Sequence, residues 1–143
     1  MKRILFVLFL LVSVPAFANH FDSFMGQWVG SGHGTWGHMT GYKYIFSENG
    51  FVGAEFTASN GEEGYASTLA CYSETSCTYS DSWGNEKNYT VASGSNGSVT
   101  FSWYDDNEFE NIRWFFSKNG SFMEHYTGFV NGHGQAYVMG YAN

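Results

Sequence analysis

Alternation with a period of two dominates the chain. Tyr42, Tyr44 and Phe46 fall on one face of a segment whose other face holds Lys43 and Ile45. Val99, Phe101 and Trp103 alternate with Ser98, Thr100 and Ser102, and Tyr137, Met139 and Tyr141 with Ala136, Val138 and Gly140. Such alternation, rich in aromatic and β-branched residues, reads as half-buried β-strand. Between these segments stand Asn-Gly pairs at 49–50, 60–61, 96–97, 119–120 and 131–132. Asn-Gly is favoured at two-residue hairpin turns, since both residues tolerate the positive φ that a type I′ turn demands. Cutting the chain at the turns predicts about ten strands, near 26–36, 40–48, 51–59, 64–72, 76–83, 87–94, 98–105, 108–118, 121–130 and 134–142. Tight connections throughout imply an antiparallel meander. An open sheet of that width would leave two bare edges and an uncovered apolar face. The expected fold is therefore all-β, a single antiparallel up-and-down barrel of about 8–10 strands. Residues 19–25 carry Phe21, Phe24 and Met25 and are predicted to form a short helical turn that plugs one mouth.

The first 18 residues follow a different pattern. Lys2 and Arg3 precede an unbroken apolar run, Ile4 to Val12, and Ala16-Phe17-Ala18 supplies a small-x-small exit. That order reads as a secretory signal peptide cleaved after Ala18. The run is far short of the roughly 20 residues a spanning helix needs. Residue 19 is Asn, so cleavage leaves no cysteine for a lipid. The expected division is 1–18 signal peptide and 19–143 one barrel domain, secreted or periplasmic.

Removing the leader sharpens the composition. Four basic residues remain (Lys43, Lys87, Arg113, Lys118) against all 13 acids, a net charge of −9. That field disfavours nucleic acid and anionic membrane surfaces as partners. Aromatic residues abound while only Leu69, Ile45 and Ile112 represent Leu and Ile, which argues against a helical core. Cys71 and Cys77, in an exported chain, read as a disulfide across the end of a hairpin. Closing so short a loop should contribute less than the ~3 kcal/mol expected of a 15-residue loop. Insertion into a membrane as a barrel is not expected. Glu108 and Glu110 occupy one face of strand 108–118 with Arg113 and Ser117 on the other, whereas a lipid-facing strand needs one wholly apolar face.

The segment Phe24-Met25-Gly26-Gln27-Trp28-Val29-Gly30-Ser31-Gly32 resembles the opening of the calycin barrels. These include lipocalins, fatty-acid-binding proteins and the nitrobindin-like haem-binding barrels. The resemblance rests on Gly26-Gln27-Trp28 and implies that Trp28 lies across the closed end. Lipocalins cover this Trp with an Arg near the end of the last strand, and no Arg follows Arg113 here. With its ten strands, the chain looks more like the fatty-acid-binding or nitrobindin-like branches.

Candidate chemistry is sparse. Trp28, Trp36, Tyr44, Phe46, Phe56, Phe101, Trp103, Trp114 and Tyr137 are side chains suited to lining an interior that accepts a flat or greasy molecule. Ten strands enclose more room than the eight whose side chains can just fill a barrel. Arg113, if inward, would suit a ligand carboxylate, as the resemblance to fatty-acid-binding barrels implies. If outward, it would pair with a cross-strand acid such as Glu124. His33 and His133 share a Gly-His-Gly setting, and closure could bring them together with His38 and His125 as a metal site or a haem ligand. No nucleophile–base constellation is present, and the acids at 62–63 and 105–108 fall at turns. The reading is an exported barrel that binds a small hydrophobic molecule. The alternatives are a filled barrel working by protein contact, a haem- or metal-binding barrel using His33 and His133, and a container that isomerises its ligand.

Overall fold

The computed structural model describes residues 20–143; the leader and its cleavage site lie outside the described residues. A 3-10 turn at Asp22–Phe24 precedes ten strands: β1 Gly26–Gly34, β2 Gly37–Glu48, β3 Phe51–Ser59, β4 Gly64–Cys71, β5 Ser76–Asp81, β6 Glu86–Ser93, β7 Val99–Asp105, β8 Glu108–Phe116, β9 Phe122–Val130 and β10 His133–Ala142. Each strand pairs with its sequence neighbour, and β1 pairs with β10, so the sheet is a closed antiparallel barrel. The seam runs from Val29 opposite Ala142 to Gly34 opposite Tyr137.

Glycine makes that seam possible. Gly30, Gly32 and Gly34 lie where β1 coils tightly against β10. A Cβ on Gly32 would stand 1.8 Å from the Val138 carbonyl oxygen, and one on Gly34 2.2 Å from that of Ala136. Asn49-Gly50, Asn96-Gly97 and Asn131-Gly132 have positive φ at both positions, but only the first and last form the expected two-residue turns. At 60–61 the Asn60 side chain instead accepts hydrogen bonds from the backbone N–H groups of Glu62 and Glu63 (2.9 and 2.8 Å), opening a longer loop. At 119–120 only Gly120 is left-handed, within a loop closed by the Ser117 N–H bonding to the Ser121 carbonyl (2.9 Å). Asn96-Gly97 falls inside a short 3-10 segment.

Half of the barrel is solid. The plug predicted for residues 19–25 is present: Phe21 and Phe24 are fully buried and stack on Phe101, Trp114, Phe116 and Phe122. The Trp28 indole donates to the Phe24 carbonyl (2.8 Å) and packs on Phe122, so the first-strand Trp does lie across the closed end. Cys71 and Cys77 form a disulfide joining β4 to β5, both buried on the inner face.

Candidate ligand-binding cavity

Above the plug the barrel stays open. A cavity of about 180 Å³ lies between the loops at the other end and a floor of buried charges. Its walls come from the inward positions of β2 to β6 and β8 to β10, together with the loops that follow β1, β3, β5 and β9. The strands place these side chains by parity alone: Met39 and Lys43 on β2, Phe56 and Ala58 on β3, Glu124 and Tyr126 on β9, Gln135 and Tyr137 on β10.

Two ion pairs define the floor. Lys43 Nζ meets Glu124 Oε2 at 2.6 Å, both side chains almost wholly buried. The same carboxylate accepts from Trp114 Nε1 (2.6 Å), the Tyr137 hydroxyl (2.9 Å) and the Tyr141 hydroxyl (2.9 Å). Four donors from three strands therefore converge on one residue, which is what a buried charge requires to be tolerated. The Lys43 ammonium also sits over the rings of Phe56, Trp114 and Tyr141, 4.4 to 5.7 Å from their centroids. Higher on the wall, Lys87 pairs with Glu110, Tyr126 donates to the same carboxylate (2.7 Å), and the Lys87 ammonium lies 4.4 Å from the centroid of Trp103. Near the rim a hydroxyl chain runs from Tyr65 to Tyr79 to Asp81, the last bond 2.9 Å.

These phenols are held neutral. Burial raises the pKa of Tyr79, Tyr89 and Tyr126 well above the ordinary tyrosine value, and burial with the nearby Glu124 charge does the same for Tyr137 and Tyr141. Tyr65 is pushed up to about 12, mainly by burial. Asp81 moves the other way. Burial opposes its charge, but hydrogen bonds from Asn85, Tyr79 and the Trp83 backbone outweigh it and lower its pKa.

Of the side chains expected from the sequence, Trp36, Phe56 and Tyr137 line the cavity. Trp28, Phe101 and Trp114 belong to the plug and floor, and Trp103 packs behind Lys87. Tyr44 and Phe46 lie on the outer face, where they stack on each other with centroids 5.0 Å apart and Phe46 covers Gly53. Parity decides this, because Lys43 and Ile45 take the interior. Arg113 is exposed on the outer wall over Phe115, opposite His125 rather than Glu124, so it neither anchors a ligand inside nor pairs with that acid. His33, His38, His125 and His133 are all exposed, and none lines the cavity. Closure does not join His33 to His133. The stagger of β10 against β1 sets His33 opposite Val138 and His38, while His133 faces Val130 beyond the end of the seam. Among the described residues no group of three potential ligands could hold a metal ion.

The sequence reasoning missed Lys43, Lys87, Glu110 and Glu124 as interior groups. The signal was available: each shares parity with a large core neighbour, Lys43 with Ile45, Lys87 with Tyr89, Glu110 with Ile112, Glu124 with Phe122.

No family model and no curated protein sequence matches the chain. Among solved structures, an S-type phycobiliprotein lyase, CPES, from Guillardia theta is similar: TM-score 0.52 at 12% identity, covering 85% of this chain and 87% of that one. At that identity the likeness is one of fold. With the closed ten-strand meander, it shows a calycin-like ten-strand β-barrel fold.

Proposed function

We infer that this chain is an exported container for a small aromatic or hydrophobic molecule, held in the open half of the barrel. One observation carries this: a ring-lined cavity of about 180 Å³ that opens to solvent at one end over a floor of saturated charges. That volume is close to the 150 Å³ or so that accommodates benzene, so the occupant has one or two rings. Tyr126 and Tyr137 stack on each other and Trp36 tilts against both, with centroids 5.0 to 6.3 Å apart. The likeness in fold to a phycobiliprotein lyase is compatible with a container, and the leader read at 1–18 supports export.

Titration of the intrinsic tryptophan fluorescence with indole or naphthalene tests it. Saturable binding of one molecule per chain is expected, weakened at least tenfold by Ala58→Trp, which fills the cavity. Absence of binding up to the solubility limit of both probes would refute the container. Export is tested by the mass of the processed chain, which should begin at Asn19.

A further inference from the structure

The charge of the lining, taken together with its rings, selects among ligands. Lys43 and Lys87 are each engaged by a carboxylate, Glu124 and Glu110. Two further acids line the cavity, Glu63 on the exposed rim and Asp81 just below it, and no ion pair among the described residues neutralises either. Asp81 is held in its ionised form by the hydrogen bonds around it. The lining thus carries a formal surplus of two negative charges, inside a chain whose described residues total −9. Around the opening stand the faces of Trp36, Tyr65 and Trp83, the last two 4.9 Å apart. Aromatic faces and surplus carboxylates both attract cations.

A second, independent feature lies deeper. The Tyr89 hydroxyl is the one buried side-chain polar atom among the described residues without a hydrogen-bond partner. Tyr89 is 1% exposed, lines the cavity and stands beside the Glu110 carboxylate, whose charge helps burial to hold the phenol neutral. A neutral phenol oxygen beside a carboxylate is suited to accept an N–H. An anionic ligand, by contrast, would have to draw a lysine away from its carboxylate and strand that charge in the interior.

We propose that the cavity selects compact aromatic cations, a ring bearing a protonated amine, over neutral and anionic molecules of the same size. This rests on the container reading and adds the charge class to it. The test is calorimetric titration of the full chain with 2-phenylethylammonium, 2-phenylethanol and phenylacetate at low salt. The ammonium compound should bind at least tenfold more tightly than the alcohol, and phenylacetate most weakly. Raising the salt from 20 to 500 mM should weaken the ammonium complex several-fold and leave the alcohol unchanged. Glu63→Gln, on the exposed rim, and Asp81→Asn should each weaken only the ammonium compound, and Tyr89→Phe should weaken it at least threefold. Equal affinities, or tighter binding of phenylacetate, would overturn the charge selection while leaving the container intact. Failure of all three compounds, and of indole, would overturn both.

Discussion

Glu124 shows what a single residue contributes to this barrel. It gathers a lysine, an indole and two phenols from β2, β8 and β10, so its loss strands one cation and three donors in the interior. Glu124→Ala should destabilise the fold by about 3–5 kcal/mol, the usual cost of breaking a buried pair from one side. Glu124→Gln combined with Lys43→Met, which keeps an acceptor and removes the charge, should recover most of that in urea unfolding. If the alanine variant unfolds at the same urea concentration as the parent, the cluster is incidental to stability. At this scale the sequence was only half legible. Alternation divided β2 correctly into two faces, but the aromatic face at 42, 44 and 46 looked like the interior and lies outside. The cause is local: Phe46 lies flat over Gly53, where the partner strand has no side chain, so a ring outside the barrel still buries most of its surface. The ion pairs link β2 to β9 and β6 to β8, contacts of high sequence separation that no short spacing announces.

At the scale of the element, β1 is the most demanding strand. Gly32→Ala forces a methyl group into the Val138 carbonyl, an obstacle of backbone rather than of a yielding side chain. Its cost should exceed the ~1–3 kcal/mol typical of overpacking. Gly134→Ala on β10, where an added Cβ meets nothing within 4 Å, should be nearly neutral. Equal stability of the two variants in urea would mean that the seam does not depend on glycine. The disulfide between β4 and β5 is a lesser constraint, since the turn it spans is short and already closed by strand pairing. Replacing Cys71 and Cys77 together by alanine should cost less than ~3 kcal/mol. Strand number, turn positions and the N-terminal plug were all legible in the sequence, because each is a local property of turn residues and period. Turn length was less so: Asn60 spends its side chain on the loop backbone, and two residues become a wider bend.

The whole molecule responds to alkali as a unit. Six phenols, Tyr65, Tyr79, Tyr89, Tyr126, Tyr137 and Tyr141, have their pKa raised in the folded chain, chiefly by burial. An unfolded tyrosine ionises near pH 10, so above that value the unfolded chain sheds protons that the folded one keeps. Stability therefore falls as pH rises, by about 1.4 kcal/mol per pH unit for each such phenol. Against a typical total of about 5–15 kcal/mol, this predicts cooperative unfolding near pH 11 to 12. Absorbance at 295 nm from these phenols and loss of near-ultraviolet dichroism should then change together. Ionisation of all six with the dichroism intact would contradict their burial. Closure itself was legible as the only arrangement of ten meandering strands without bare edges. The stagger that separates His33 from His133 was not, because register at the seam is set by the tilt of the whole cylinder.

The stopper made by Phe21 and Phe24 has a kinetic corollary. A vessel corked at its base has a single port, so any guest must leave by the way it came, backing out past Trp36 and Trp83. Whatever slows that retreat also slows admission. Substitutions at these two indoles should therefore shift arrival and departure rates in parallel, whereas changes at the charged floor should act on dwell time alone.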